Sequence, residues 1–307
     1  MTETVAPLAQ MDAPEAKYVA SGATDAKPRR SFGQALILAA PTLFLVAFCV
    51  APLVLLVEFS FAHHDSGQLW APGFELTQYR QLADPVFLRV TGFSLVLALC
   101  AAVLTLSVAY PAAYFISRMR RRAQVAWLVF VLGALSLSEV LIVFAFQVLL
   151  SSSGVIVQTL VSLRLMGQAH SLYPNIFAVL ACIVYLLLPY VILFLYPAVS
   201  KLDEEMPQAA ATMGASPIST FFLVTTPLMR GPLISAAALV VIFAVSSYLT
   251  PLVLGRPATW TIGVHLSNTA MEAANMPLAA AQALVLVAAI LALLAAVRAL
   301  GGERRAR

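Results

Sequence analysis

Glu139 is the side chain in this sequence best placed to do chemistry. It lies in Leu135-Ser136-Leu137-Ser138-Glu139, deep in an apolar run. An ionisable group at such a depth is costly, which makes it a functional candidate. Glu58 is the other carboxylate in an apolar run, but it sits at the outer end, within reach of water. Three readings of Glu139 stand side by side. The Ser136 and Ser138 hydroxyls, or a neighbouring helix, hold it facing a bundle interior; or it contacts a translocated cationic solute; or it belongs to a proton relay. The relay lacks the accompanying series of Asp, Glu or His that it would need.

The chemistry of an enzyme has little to stand on. There is no G-x-x-x-x-G-K-S/T phosphate loop, no H-E-x-x-H and no G-x-S-x-G. Cys49, Cys100 and Cys182 are far apart in apolar runs and read as small core residues without a disulfide framework. His63 and His64 are adjacent, so their rings diverge, which suits a solvated loop better than a metal site. No catalytic residue, cofactor or metal is expected.

A second feature is mechanical. Leu202 to Pro232 is a polar interruption between long apolar runs. Asp203 can cap a short helix with Glu204 and Glu205 in its first turn, where the helix dipole favours acidic groups. Leu202, Met206, Ala209, Ala210 and Met213 then share one face, with small alanines that let another backbone approach. Gly214 can turn the chain sharply, and Ser216 with Pro217 restarts a helix. The expected unit is helix, glycine turn, helix. The plain alternative is an ordinary amphipathic loop helix.

These features need elements to hold them, and the composition says which kind. The mean hydropathy is +0.92. With 61% hydrophobic and 10% charged residues, the chain is not an ordinary soluble domain. Apolar runs of about 20 residues satisfy their backbone in lipid only as helices. Six spans are expected: about Ala35–Phe61, Val90–Ser117, Val125–Leu150, Ile176–Val199, Leu233–Leu254 and Leu278–Leu300. Pro41, Pro52, Pro189 and Pro251 fall inside them and kink without ending them. Residues 1–30 read as a disordered cytoplasmic tail, 31–300 as the membrane domain with the coupling stretch at 202–217, and 301–307 as a C-terminal tail. Arg29-Arg30-Ser31-Phe32 reads as the positive flank of the first span rather than an export signal. With both termini inside, fourteen of the 18 Lys and Arg fall on the cytoplasmic side and only Arg80, Arg89, Arg164 and Arg256 outside. The net charge of +4 thus orients the protein in a bilayer and does not mark a nucleic-acid binder. The outer loops, Ala62–Arg89, Ser151–Asn175 and Gly255–Pro277, are long enough to receive a partner.

Gln208-Ala209-Ala210-Ala211-Thr212-Met213-Gly214, with Ala215-Ser216-Pro217 after it and Thr226-Pro227 further on, resembles the E-A-A-x-x-x-G motif of binding-protein-dependent ABC importer permeases. Gln208 stands where the family has Glu. The runs Leu76-Thr77-Gln78-Tyr79, Tyr110-Pro111-Ala112-Ala113-Tyr114, Leu188-Pro189-Tyr190 and Tyr248-Leu249-Thr250-Pro251 extend the likeness and bring it nearest to the spermidine/putrescine-type permeases. The sequence also departs at two places: Ser246-Ser247 precede the aromatic where an acidic residue is common, and Arg256 replaces a second glycine.

The resemblance implies an all-α polytopic fold, six transmembrane helices of the type I ABC importer (MetI-like) kind, in a bacterial inner membrane with cytoplasmic termini. It implies that Asp203, Glu204, Glu205, Gln208, Ala209, Ala210 and Gly214 dock a cytoplasmic ABC ATPase dimer. Glu139, Ser247, Tyr248 and Thr250 become candidate translocation-path residues. A second permease, identical or homologous, and an extracytoplasmic solute-binding protein are the implied partners beside the lipid bilayer. The solute is expected to be polyamine-like or another small organic molecule. The alternative is a secondary transporter or channel that works without ATP.

Overall fold

The structure, a computed structural model, describes residues 32–302 other than 66, 67, 72, 166 and 204. The expected N-terminal tail, residues 303–307 and Glu204 lie outside the described residues. The chain forms two units, Met1–Val54 and Leu55–Arg307. In the first, α1 (Phe32–Phe61) begins and carries Pro41 and Pro52 without a break.

The second unit opens with a small antiparallel hairpin that the sequence reading did not anticipate, β1 (His63–Asp65) paired with β2 (Gln68–Ala71). Then follow α2 (Thr77–Gln81), α3 (Pro85–Arg118), α4 (Arg121–Leu135), α5 (Glu139–Leu149), α6 (Val155–Ser162) and α7 (Ile176–Ser200). After these come α8 (Glu205–Thr212), α9 (Pro217–Thr220), a π turn (Phe221–Thr225), α10 (Thr226–Leu228), α11 (Arg230–Ser246) and α12 (Leu249–Leu254). A 3₁₀ turn (Pro257–Thr259), α13 (Ile262–Met271) and α14 (Met276–Gly302) complete the described residues.

Among the described residues, four helical stretches are long and apolar enough to cross a bilayer: Pro41–Phe61, Pro85–Arg118, Ile176–Ser200 and Met276–Val297. Two more crossings result if bent pairs count as one span each, α4 with α5 at 89° and Pro217–Leu228 with α11 at 77°. The expected third span is therefore helical but not straight; the 77° bend falls at Met229, ahead of the expected fifth span, which is itself interrupted at Ser247 and Tyr248 between α11 and α12.

The core is the packing of α3 against α7 and α11. On α3 the buried stripe is Ala98, Ala101, Ala102, Ala109 and Ala113. On α7 it is Val179, Ile183, Leu187, Val191, Leu195 and Val199, about one residue per turn. α11 adds Ala236, Val240 and Ala244. Lipid tails are as apolar as leucine, so helices associate through close packing, and small side chains permit it. The same reasoning explains a difference from expectation. Cys182 is buried in this core, but Cys49 and Cys100 lie on helix surfaces. An apolar solvent does not drive a small apolar residue inward.

Polar contacts tie down the ends. Asp84 caps α3 by accepting from the Val86 amide at 2.9 Å. The Ile262 amide at the start of α13 donates to Ser94 Oγ on α3 at 2.8 Å. Beside the hairpin, His63 Nδ1 lies 2.6 Å from Glu75, which also accepts from the Thr77 hydroxyl. Thr77 foremost, then His63, holds the Glu75 carboxyl below its ordinary value of 4.5. A depressed carboxylate contributes stability that is complete above 4.5 and is lost as pH falls through the lowered value. The Glu75 amide bonds the Phe61 carbonyl at 2.8 Å. Its protection against hydrogen exchange, taken relative to the intrinsic rate at each pH, should fall as pH drops below 4.5, and Glu75→Gln should flatten that response; an equal response in both chains would refute the assignment.

Candidate functional site

The bend between α4 and α5 and the break between α11 and α12 build the site. In the third apolar run, α4 ends in a tightened turn, with the Ser136 and Leu137 amides bonded three residues back to Gly133 and Ala134. The Ser136 hydroxyl turns to the Leu132 carbonyl at 3.3 Å. Ser138 is extended and its carbonyl accepts from the Ile142 amide at 3.1 Å, so α5 restarts with Glu139 as its first residue. A carboxylate there is favoured by the helix dipole. The expected hold by Ser136 and Ser138 is not formed. Among the described residues none makes a hydrogen bond or ion pair with Glu139.

The fifth run breaks at Ser247. Pro251 has no N–H to give the carbonyl one turn back, which leaves the Ser247 carbonyl to another partner. Thr261 Oγ1 donates to it at 2.9 Å. Gly263 makes this approach possible, because a Cβ there would stand 2.9 Å from the Ser247 oxygen and 3.2 Å from that of Ser246. Gly263→Ala should therefore destabilise the fold by about 1–3 kcal/mol. The check is thermal unfolding of the detergent-solubilised chain, and an unchanged midpoint would contradict it.

Between the bend and the break lies a cavity of about 600 Å³, walled by α4, α5, the middle of α7 and the end of α11. Glu139, Ser247 and Tyr248 all line it, so residues from two distant runs meet. Thr250, named with them from sequence, does not line it and is fully buried. Tyr185, Tyr190, Phe243 and Ser246 join the lining, and the Tyr190 and Phe243 rings stand 5.8 Å apart. Sequence reasoning did not assign these four to the site. Tyr190 was visible in Leu188-Pro189-Tyr190, but nothing in the run states which way it faces. Glu139 is the one charged residue among the lining residues; the rest of the wall is largely aliphatic. A carboxylate amid tyrosine and phenylalanine faces suits an organic cation, through charge-assisted hydrogen bonds and ring quadrupoles.

The mechanical stretch takes the shape expected of it. Asp203 Oδ1 accepts from the Glu205 amide at 3.0 Å and α8 follows. Gly214 has φ +86°, in the left-handed region. The Ala215 amide reaches back to the Ala210 carbonyl at 3.1 Å, the signature bond of a Schellman end. Ser216 Oγ then accepts from the Ser219 amide at 3.2 Å and Pro217 begins α9. Met206, Gln208, Ala209 and Gly214 are exposed, Met213 is 89% exposed, and Ala210 is half-buried. Among the described residues none covers Met206, Ala209 and Met213 on this face, while Ala210 and Leu202 are partly buried. The face lies apart from the cavity, since no residue of α8 lines it.

Residues 109–305 match the family described as binding-protein-dependent transport system inner membrane component. The spermidine/putrescine transport system permease protein PotB of Haemophilus influenzae is 26% identical over 238 residues, 78% of this chain and 83% of the relative. Its Escherichia coli counterpart is also 26% identical over 238 residues, covering 86% of that protein. Among solved structures, a chain of a bacterial alginate ABC transporter, in complex with alginate pentasaccharide-bound periplasmic protein, superposes with a TM-score of 0.70 at 15% identity. The match covers 90% of this chain and 95% of that one.

Proposed function

This chain belongs to the family of binding-protein-dependent transport system inner membrane components, and on that premise we propose that it forms half of the path of an ATP-driven importer for a small organic cation. The carrying observation is the cavity between the bend and the break, whose single charged lining residue is Glu139. One negative group among aromatic rings favours a cationic cargo over an acidic polysaccharide such as the alginate named for the structural neighbour. It accords with the spermidine and putrescine named for the sequence relatives. A single carboxylate fits one ammonium group at a time, with aliphatic walls for the carbon chain.

In this reading an extracytoplasmic binding protein delivers solute to the outer loops, and a second permease supplies the other half of the path. ATP closes a cytoplasmic ATPase dimer, and the exposed face of α8 rides on it. The excess of Lys and Arg near the termini, the α3–α4 junction and the coupling stretch supports a cytoplasmic side for those segments. The bends at Ser136–Ser138 and Ser247 give the bundle two places to flex about the cavity. Among the described residues Glu139 has no relay of acidic or histidine side chains with it in the cavity lining, which favours ATP over ion gradients as the driving force.

The test is uptake of radiolabelled putrescine and spermidine by the assembled transporter in vesicles loaded with ATP. ATP-dependent uptake of at least one is expected. Uptake that persists after ATP depletion, or a chain purified from membranes with no associated ATPase, would favour the secondary transporter instead.

A further inference from the structure

The segment after the coupling unit meets α3 in a small cluster centred on Phe221. The geometry points to Phe221 as the positioning residue through which displacement of α8 is delivered to the wall of the path. This rests on the importer reading above.

The helix after Pro217 does not continue as an ordinary α-helix. It widens into the π turn Phe221–Thr225. The physical cause is Pro227, whose ring would crowd the carbonyl one turn back. The Thr226 amide accordingly reaches five residues back, to the Phe221 carbonyl. Thr226 Oγ1 stands 2.9 Å from the same carbonyl and 3.3 Å from the Tyr110 hydroxyl on α3. The Phe221 ring stacks on Tyr110 with centroids 4.8 Å apart and meets Tyr114 edge-on at 5.1 Å. The Arg118 guanidinium lies 5.4 Å from the Tyr114 ring centroid, at the end of the same helix. Tyr110 is itself buried in the core, at 6% exposure.

Each side of this contact leads somewhere. On one side α8 and α9 pack on the π turn. On the other, α3 packs along α7, whose Leu187, Pro189 and Tyr190 line the cavity. The peptide chain offers a second route, but it bends by 77° at Met229 before α11 begins. That route enters α11 through Met229, which is itself buried in the core, whereas the Phe221 ring, held between two tyrosines, meets α3 directly. π turns recur at functional sites because they trade hydrogen-bond geometry for a shifted side chain. Here the shifted side chain is Phe221, and its carbonyl is fastened twice by Thr226.

The test reads cavity opening directly, so it needs no identified cargo. The parent is the complex of this chain with its cognate ATPase and partner permease in lipid nanodiscs. It carries Ser246→Cys as a cavity reporter together with Cys49→Ala, Cys100→Ala and Cys182→Ala. Maleimide labelling is timed with and without ATP and vanadate. In Phe221→Leu, the ATPase should co-purify and hydrolyse ATP as in the parent. The nucleotide-dependent change in labelling should fall about tenfold. Phe221→Tyr, which keeps the ring, should retain the change. A full labelling response in Phe221→Leu overturns the proposal, as does a loss in Phe221→Tyr equal to that in Phe221→Leu. Loss of ATPase co-purification also overturns it, because Phe221 would then belong to the dock. A parent whose labelling never responds to nucleotide refutes the importer reading, and this inference with it.

Discussion

Gly214→Val should reduce uptake by at least about 100-fold while the chain still inserts in the membrane, since displacing a positioned element by about an ångström costs that much. The backbone at this residue has φ +86°. A residue with a Cβ pays about 1–2 kcal/mol for the left-handed conformation, and a β-branched one is a genuine outlier there. Valine therefore moves φ out of this region and unmakes the Ala215-to-Ala210 bond that closes α8. The face carrying Ala209, Ala210 and Met213 then no longer meets its partner in register. Insertion should survive, because a Cβ at Gly214 has nothing within 4 Å. Gly214→Asn is the control, since asparagine enters the left-handed region more readily; it should keep most of the uptake. Normal uptake by Gly214→Val in vesicles would remove the mechanical role of this turn.

Glu139→Gln should weaken uptake of a cationic probe about 10- to 100-fold, the equivalent of a charge-assisted hydrogen bond worth about 1.5–3 kcal/mol. The loss should appear as a raised KM for putrescine. Glutamine keeps the length and the apolar stem, so the cavity wall stays intact. The competing role is structural, because a carboxylate at the start of α5 contributes about 0.3–1 kcal/mol through the helix dipole. Thermal unfolding separates the two. A structural Glu139 would lower the midpoint and leave KM alone, whereas a cation site raises KM with little change in the midpoint. Glu139→Arg should abolish uptake of the cation, because it places a like charge in the cavity. If Glu139→Gln transports putrescine with the parent KM, the cavity does not hold the ammonium.

Residues 202–217 were almost wholly legible from sequence, down to the caps Asp203 and Ser216 and the turn at Gly214. Caps and turns depend on partners within about five positions, and the chain order lists those partners directly. Glu204 alone of that set lies outside the described residues. The apolar runs were legible for a similar reason, since length and hydropathy suffice to identify a helix in lipid.

The bends were harder. Val125–Leu150 reads as one span because an apolar run carries no mark for a right-angle turn. The Ser136–Ser138 break shows only when the amides of the last turn are followed to their acceptors. Pro251 was visible as a kink, but the break it permits depends on Thr261 and Gly263, in the segment after the span.

The sequence by itself determined the class of protein, its run of helices, the glycine turn at Gly214 and the rarity of Glu139 at its depth. Each follows from composition or from neighbours a few residues apart. Only the tertiary structure decided that Glu139 shares a cavity with Ser247 and Tyr248, that Thr250 is excluded from it, and that Phe221 stands against Tyr110. Those pairings join residues roughly a hundred positions apart in the chain. They follow from how bent helices pack, which no local pattern of residues encodes.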